Sequence, residues 1–483
     1  MRKFLFIGCF GALVSCGVTK DVQREKGLDL TIEEKVGQTC QITLDAVAQT
    51  DAQGRTLVPL KLDTNKLTEA LVKYKVGSIL NVSWHTLTRA QWQEITQTIQ
   101  SYYTSGRIKV PVLYGIDAIH GVNYTQGATL FPQEIGLAAT WNPSIAMRFG
   151  EVTAYETRAS GIHWNFSPVL DLGRQPLWSR NFETLGEDPF LASTMVVPYI
   201  KGVQENGIAA CVKHFALNNQ EHWRDKINVE LSDRALYEIY LPAFKAAVKE
   251  AKVWSIMGAY NKIRGQYACH NELLLNKILK TDWRFDGVVI SDWSGAHTTE
   301  ESAKYGLDIE MGTGTDGLGT STANHYDNYY LAKPFLKAIK KGVLSEDLLD
   351  DKVRRILRLM FRTNMSTNRP LGNANTKAHH DVARHLATDG IVLLKNKENF
   401  FPIKDDKDLT IAIIGENATR SMTAGGGSSE LKPKFEISPL DGIKARYKHA
   451  TITHAMGYQT GPSRYNQVIP PTLNLDSLKT EAI

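Results

Sequence analysis

The amino-acid sequence predicts an α/β fold, in which a (β/α)8-like barrel is followed by a smaller α/β domain. The 483-residue chain is too long for one ordinary domain. Short apolar runs alternate with helical patterns from about residue 30 to residue 362, and this many alternations predict a barrel of parallel strands. The alternation stops in a stretch rich in Pro, Gly and Asn at 366–376, after which a second α/β pattern begins.

The clearest strand of the barrel is Val288–Ile290, where three β-branched residues follow one another. Such a run predicts a parallel strand that is buried on both faces. The run ends at Ser291 and Asp292, beside Trp293. A carboxylate at the C-terminal end of a strand lies where α/β barrels carry their catalytic groups, although Asp is also a common helix cap. The other strand ends decide between these two interpretations.

Six further apolar runs predict other strands of the barrel. They lie at 76–80, 111–115, 164–170, 209–212, 254–257 and 307–311. Amphipathic helices are expected between several of them. Ser232 or Asp233 caps a helix that Pro242 kinks, and Ser345 caps another helix near the end of the barrel.

The sequence divides into four parts: a leader at 1–16, the barrel at 28–365, a linker at 366–378 and a second domain at 379–483. The second domain is expected to begin with a helix at 379–394 and to contain strands at 409–414 and 450–456. The chain stops at Ile483, within the start of a predicted helix at 475–483. Because a doubly wound domain needs more strands than these, we expect an incomplete domain in a chain truncated at its C-terminus.

Composition and cysteine spacing restrict the classes of partner and cofactor. The net charge of +5 is spread along the chain without a basic block, which argues against nucleic acid as a partner. Beyond the leader, Cys40, Cys211 and Cys269 are too few and too widely spaced for a disulfide framework or a zinc site. We expect them to be buried free thiols, and the sequence indicates no metal and no cofactor.

Polar side chains follow most of the predicted strands. They are Asp117 and His120 after the second strand, Asp171 and Arg180 after the third, Lys213 and His214 after the fourth, Tyr260 after the fifth and Asp292 after the sixth. Each of these residues also has an interpretation without a function in binding or catalysis. Taken singly, His214 could be a structural histidine, Lys213 could be a solvated surface charge, and Arg180 could only form an ion pair with Glu183. Their recurrence predicts a sugar site, because charged groups bind sugar hydroxyls and aromatic rings stack on the apolar face of a sugar.

The sequence resembles glycoside hydrolase family three, the family of β-glucosidases and exo-β-glucanases. The matching stretches are GIDAIHGVNY (115–124), ATLFPQEIGLAATWN (128–142), FSPVLDLGRQPLWSRNFETLGEDP (166–189), VKHFALNNQE (212–221), MGAYNKIRG (257–265) and GVVISDW (287–293). The stretches IVLLKNKENFFPI (391–403) and GGGSSELKP (425–433) extend the resemblance into the second domain. It implies a (β/α)8-like TIM barrel, then an α/β sandwich domain, with the active site between them.

The resemblance also implies roles for individual residues. Asp292 matches the nucleophile, Tyr260 matches the tyrosine beside the nucleophile, and Trp293 matches a residue that lines the pocket. Asp117 matches the carboxylate that binds the far hydroxyls of the terminal sugar. The residues that hold the secondary hydroxyls of that sugar are matched by Arg180, Lys213 and His214. Retaining hydrolysis needs an ionised carboxylate as nucleophile. We expect Arg180, Lys213 and the hydroxyl of Tyr260 to keep Asp292 ionised.

The general acid is where the sequence departs from the family. Many members carry this acid as a Glu on a second-domain loop, and no corresponding Gly-Glu-Gly-like motif occurs before Ile483. Glu430 is the nearest candidate by location, with a loop residue at the pocket mouth as the alternative. Either the chain is truncated before the acid or the acid comes from elsewhere. The His-Asp loop of the family's N-acetylglucosaminidases is also missing after Lys213 and His214.

The resemblance implies an exo-acting β-glycosidase, foremost a β-glucosidase with an oligosaccharide or β-glucan substrate. Asp117 favours glucose, because related xylosidases often carry Glu at this place. Two alternatives stay open. A β-xylosidase or mixed-specificity relative is separable by comparing nitrophenyl glucoside with xyloside. A non-hydrolytic sugar-binding lipoprotein without the acid would bind sugar and fail to turn over even activated substrates. The sequence leaves the oligomeric state open.

The first sixteen residues predict an export signal. Arg2 and Lys3 precede an apolar run from Phe4 to Val14, which is too short for a comfortable transmembrane helix. The run ends in Leu-Val-Ser-Cys, which resembles the bacterial lipoprotein signal with Cys16 as the lipidated residue. The alternative is an ordinary secretory signal. We expect an exported protein, periplasmic or at the outer membrane, that contacts a membrane only through its lipid.

Cys16→Ala should release the protein from the membrane fraction, because the acyl chains attached to the thiol would supply the membrane affinity. Fractionation of cells that express each variant measures this. Cys9→Ala, which changes the other cysteine of the leader, is the matched control and should stay with the membranes. Unchanged fractionation of the Cys16 variant would contradict the lipoprotein interpretation.

Overall fold

The computed structural model describes residues 30–82, 86–104, 110–312, 326, 328–363, 372–420 and 431–458. The predicted leader with Cys16, residues 366–371 of the predicted linker, Glu430 and the helix predicted at 475–483 lie outside the described residues. Those predictions therefore stay as the sequence analysis left them.

An eight-stranded parallel sheet forms the centre of the first domain. Its strands are β1 (Cys40–Thr43), β2 (Ser78–Leu80), β3 (Leu113–Ile116), β4 (Trp164–Asn165), β5 (Ala209–Phe215), β6 (Ser255–Gly258), β7 (Val288–Ile290) and β8 (Glu310–Met311). The strands from β1 to β7 lie side by side in chain order, and β8 pairs with β1. The sheet closes where Ile290 pairs with Ile309, just before β8. The predicted (β/α)8-like barrel is confirmed.

Helices connect the strands of the barrel. Their bounds are Ile32–Gln38, Thr64–Leu67, Arg89–Thr104, Glu134–Ala139, Pro143–Ala159, Pro189–Glu205, Asp233–Ala235, Pro242–Lys249, Thr299–Lys304, Lys333–Lys340 and Glu346–Thr363, with wider π-helical turns at Thr68–Lys73, Leu236–Tyr240 and Glu272–Asp282. Ser232 caps the helix that begins at Asp233, and Pro242 starts a new segment after a π-helical stretch, so the predicted cap and kink are confirmed. Within the described residues, every helix is too short or too polar to cross a bilayer.

Two strands of the barrel differ from their predicted form. β1 has no counterpart among the predicted strands, because the polar side chains of Gln41 and Thr43 interrupt its apolar run although both are buried. β4 is only two residues long, whereas the apolar run predicts a strand up to residue 170. Pro168 lacks the N–H group that a continuing central strand would donate. Buried polar residues and a proline thus explain both differences.

The interior of the barrel is closely packed. A Cβ atom at position 115 would lie 2.3 Å from Cζ of Phe166, so only glycine leaves room for that ring beside β3. The ring of Phe166 in turn meets the ring of Trp164 edge to face, with 5.1 Å between centroids. Cys40, Cys211 and Cys269 are buried and unpaired, as the sequence predicts.

The second domain is a small α/β unit within the described residues. It contains the helices Lys377–Asp389 and Pro439–Arg446, and the strands β9 (Thr410–Ile414) and β10 (Thr451–Ala455), which pair in parallel. Both strands lie where they were predicted. The first helix ends at Asp389, not at residue 394 as predicted, and the apolar residues 391–394 that follow are exposed. The predicted helix end was wrong because it was based on apolar residues that are not buried in the structure.

Glu156 joins the second domain to the barrel. This buried residue lies in the helix Pro143–Ala159. Its Oε1 accepts hydrogen bonds from Thr129 Oγ1 (2.6 Å), Asn375 N (2.8 Å) and His379 Nδ1 (2.7 Å), and its Oε2 accepts one from Thr129 N (2.9 Å). Burial raises the pKa of Glu156, but the bonds from His379, Thr129 and Asn375 lower it below its ordinary value. One carboxylate thus connects the segment after β3, a barrel helix and the first helix of the second domain.

Glu156→Gln should reduce the free energy of unfolding by about 2–4 kcal/mol, because an amide has one acceptor oxygen and would turn its NH2 group towards a donor. Urea unfolding measures the change. Glu151→Gln on the same helix is the matched control, since Glu151 forms a surface ion pair with Arg148 and should cost at most about 1 kcal/mol. Equal effects of the two substitutions would contradict the structural role of Glu156.

Candidate active site

The C-terminal ends of the barrel strands bring the predicted site residues together. Asp117 follows β3, Tyr260 follows β6 and Asp292 follows β7. Lys213 and His214 lie inside β5, which continues to Phe215 beyond the predicted end at residue 212. Because parallel strands of a barrel end at one face, these five side chains lie on the face where barrel enzymes carry their chemistry.

A buried ion pair joins β5 to the end of β3. Lys213 Nζ lies 2.6 Å from Asp117 Oδ1, and both residues are nearly inaccessible to solvent. Asn81, which follows β2, donates from Nδ2 to Asp117 Oδ2 at 2.8 Å. Burial lowers the pKa of Lys213, but the carboxylates of Asp117 and Glu183 together outweigh this and raise that pKa above its ordinary value. Lys213 is therefore a paired buried cation, and its interpretation as a solvated surface charge is wrong.

His214 connects two parts of the site. Arg180 Nη2 lies 3.2 Å from His214 Nε2, and because a guanidinium only donates, Nε2 is the acceptor. Nδ1 then carries the proton and donates to Asp171 Oδ2 at 2.6 Å. Burial lowers the pKa of His214 well below its usual range and raises the pKa of Asp171 to about 8. Both shifts favour an uncharged imidazole and an uncharged carboxyl at neutral pH, and the hydrogen bonds from Arg180 and to Asp171 fix the orientation of the imidazole.

Asp292 lies next to this imidazole. Its Oδ1 accepts hydrogen bonds from Tyr260 Oη and from the backbone N of Trp293, both at 2.8 Å, and its Oδ2 lies 3.6 Å from His214 Nε2. Burial raises the pKa of Asp292, while Arg224, Arg180 and Lys213 lower it. The sequence predicts that nearby cations keep Asp292 ionised, but burial is the larger effect and the pKa of Asp292 stays above its ordinary value. Asp292 is therefore a carboxylate whose ionisation depends on its cationic neighbours.

Arg224 and Glu221 belong to the site although the sequence analysis did not select them. The Arg224 guanidinium lies over the ring of Tyr260, 4.3 Å from its centroid, and is the cation that lowers the pKa of Asp292 most. Glu221 accepts from Arg224 Nη1 at 2.5 Å and from Trp178 Nε1 at 3.0 Å. Both residues lie several positions beyond the end of β5, so the strand-end pattern does not reach them.

Trp293, which follows Asp292, lies against the end of β8. Its half-buried ring packs against Gly312, where a Cβ atom would lie 2.7 Å from Cε3 of the ring. Glycine at this position therefore permits the close approach of the indole. As far as the structure describes the chain, no three or more His, Cys, Asp and Glu side chains are grouped to hold a metal ion.

The seven predicted site residues form one chain of neighbours. Asp117 contacts Lys213, which precedes His214 in β5. His214 lies beside both Arg180 and Asp292. Asp292 in turn contacts Tyr260 and precedes Trp293. The arrangement combines a hydrogen-bonded carboxylate with cations and imidazole in one buried site. It is suited to bind a polar ring and to present Asp292 to one of its carbon atoms. The individual roles stay predictions.

Comparison with protein families identifies both domains. Residues 31–359 match the glycosyl hydrolase family 3 N terminal domain, and residues 391–479 match the glycosyl hydrolase family 3 C-terminal domain. The chain is 48% identical over 396 residues to β-glucosidase BoGH3A of Bacteroides ovatus, which covers 78% of this chain and 53% of that protein. It is 35% identical over 370 residues to thermostable β-glucosidase B of Acetivibrio thermocellus, covering 73% of this chain and 46% of that protein.

Solved structures show the same fold. The chain resembles β-glucosidase 3B of Thermotoga neapolitana in complex with glucose, with a TM-score of 0.70, 30% identity and coverage of 90% of this chain and 55% of that one. It also resembles the exo-1,3/1,4-β-glucanase ExoP of a Pseudoalteromonas species, with a TM-score of 0.76, 26% identity and coverage of 92% and 57%. The chain spans about half the length of the curated relatives it matches.

Arg224→Gln should move the acidic limb of the pH profile to higher pH, because removing this cation raises the pKa of Asp292. The profile of kcat/KM on dinitrophenyl β-glucoside, an activated substrate suited to the predicted activity, measures this. On the acidic limb, the activity relative to the plateau should fall by roughly three- to tenfold. Arg148→Gln removes an exposed arginine and should leave the profile in place. Identical profiles for both variants would show that Arg224 does not control Asp292.

Proposed function

The chain belongs to glycoside hydrolase family 3, and we propose that it is a retaining, exo-acting β-glucosidase that releases terminal β-D-glucose from oligosaccharides or β-glucans. One observation carries the proposal: a buried carboxylate, Asp292, is hydrogen-bonded by Tyr260 and surrounded by cations at the C-terminal face of the barrel. Relatives named as β-glucosidases support the choice of glucose. Because the chain spans about half of those relatives, substrate and activity remain parts of this proposal.

In the proposed complex, the terminal glucose lies among the strand ends. Asp117 and Lys213, which form a buried ion pair, would bind the hydroxyls farthest from the scissile bond. Arg180 and His214 would hold secondary hydroxyls nearer to Asp292, and Trp293 would contact the apolar face of the ring. A charged and hydrogen-bonded site of this kind orients the anomeric carbon towards Asp292.

The first step of the proposed reaction forms a covalent intermediate. Asp292 Oδ2, which does not accept the bond from Tyr260, attacks the anomeric carbon while the bond to the leaving oxygen breaks. The leaving oxygen takes a proton from a general acid. In the second step water attacks the anomeric carbon, gives its proton to the same group and frees Asp292. Tyr260 and the backbone N of Trp293 hold Oδ1 in place during both steps.

Glu430 is the candidate that this sequence offers for the general acid of this reaction. Glu430 lies directly before Leu431, a buried residue near Gly121. If Glu430→Gln selectively abolished activity on cellobiose and spared dinitrophenyl glucoside, Glu430 would be the acid, because only a poor leaving group needs a proton. We expect little change, as the sequence analysis does.

We also propose that the protein is an exported lipoprotein, periplasmic or at the outer membrane. The positive residues Arg2 and Lys3, the apolar run that follows and Cys16 support this. An exported location agrees with a substrate that is too polar to cross a membrane unaided.

A dinitrophenyl 2-deoxy-2-fluoroglucoside should label Asp292 covalently, because the fluorine slows hydrolysis of the glycosyl-enzyme and the leaving group departs without a proton. Mass spectrometry of peptides locates the trapped sugar. Asp292→Ala should abolish labelling and lower turnover of dinitrophenyl glucoside by at least about a thousandfold. Asp286→Ala changes an exposed Asp at the other end of β7 and should leave labelling intact. A sugar on any residue other than Asp292 would contradict the proposal.

A further inference from the structure

Two exposed apolar side chains lie on neighbouring loops beside the site. Leu177, on the loop after β4, is 91% exposed, and Trp223, on the loop after β5, is 61% exposed. The hydrogen bond from Trp178 Nε1 to Glu221 Oε1 ties the two loops together at the adjoining positions. Leu177 precedes Trp178, and Trp223 lies two residues after Glu221. This bond therefore brings together the two loops that carry Leu177 and Trp223.

The exposure of the contacting residues increases towards the loop that carries Trp223. The side chains of Lys213 and Asp292 are 3% and 7% exposed. Those of Glu221 and Arg224, which lie one contact farther out, are 23% and 27% exposed. Trp223, next to Arg224, continues the series at 61%. The contacts therefore lead outward from the buried Asp292, through Tyr260 and Arg224, to the exposed Trp223.

The backbone holds Trp223 in an unusual conformation. Its φ angle is +56°, in the left-handed region that bulky side chains rarely adopt. Its carbonyl accepts hydrogen bonds from Lys226 N at 2.8 Å and from Ile227 N at 2.9 Å, which fix the turn. The ammonium group of Lys226 lies 5.2 Å from the centroid of the indole. A fixed, strained and exposed tryptophan next to reactive groups suggests a binding role for the ring.

We propose that Trp223, with a smaller contribution from Leu177 on the neighbouring loop, binds the ring on the leaving-group side of the scissile bond. The ligand is a pyranose or an aryl ring that is β-linked to the bound glucose, and its apolar face would stack on the indole. Lys226 would add a hydrogen-bond donor for a hydroxyl of that ring. This inference rests on the proposed function, because the direction of the leaving group follows from Asp292 as the nucleophile and from the Asp117–Lys213 pair at the far end.

The matched control is already in the chain. Trp141, in the turn between the helices Glu134–Ala139 and Pro143–Ala159, is 71% exposed and has a φ angle of +53°. Trp223→Ala and Trp141→Ala therefore remove the same side chain from the same backbone conformation. Calorimetric titration of the full 483-residue chain with thiocellobiose, a disaccharide whose sulfur linkage resists hydrolysis, and with glucose measures both subsites without turnover.

Trp223→Ala should raise the ratio of the thiocellobiose Kd to the glucose Kd by about five- to tenfold, the effect of losing one aromatic contact. Leu177→Ala should raise it less, and Trp141→Ala should leave it unchanged. An unchanged ratio in Trp223→Ala, or an equal change in Trp141→Ala, would overturn the inference. Turnover of β-glucosyl fluoride by the parent chain tests the proposed function separately. Failure of that turnover with an intact Trp223 effect would reject the hydrolase and keep the binding surface.

Discussion

The buried ion pair between Lys213 and Asp117 constrains the whole site. Either charge alone in this interior would cost several kcal/mol, so the ends of β3 and β5 must keep the separation that the pair requires. The strand between them, β4, is only two residues long and ends before the pair. Because His214 follows Lys213 in β5, the same constraint positions the imidazole and, through it, Arg180 and Asp292. The position of one ion pair thus also determines where the other charged groups of the site lie.

Around Asp292, burial and positive charge act in opposite directions. Burial favours the protonated carboxyl, whereas three cations favour the carboxylate. Glu221 pairs with Arg224, and Glu183 pairs with Arg180, so each arginine is itself partly neutralised. The acidic partners therefore limit how strongly the cations hold Asp292 ionised. Such opposed effects make the ionisation of Asp292 sensitive both to the cations around it and to the acidic partners of those cations.

Strand-end residues could be predicted because the rule needs only a local apolar run and the polar residue that ends it. Val288–Ile290 with Asp292 is the clearest case. The rule fails where the fold buries polar groups, as at Gln41 in β1, and where a contact depends on a loop, as for Arg224 above the ring of Tyr260. The end of the helix at Asp389 was also missed, since apolar residues continue beyond it without being buried. The pattern of apolar residues is a property of the local sequence, whereas buried polar strands, loop contacts and helix ends depend on tertiary contacts.

Barrel closure has a consequence for how the protein folds. The last strand, β8, pairs with the first, so that Cys40 meets Glu310 across most of the domain. Asp292 lies beside this junction, because Ser291 N donates to Ile309 O and Met311 N donates to Ser291 Oγ, both at 2.9 Å. Contacts between distant parts of a chain form slowly, since loop-closure entropy opposes them. During synthesis, the carboxylate would reach its final surroundings only after β8 has emerged, at the most non-local step of folding.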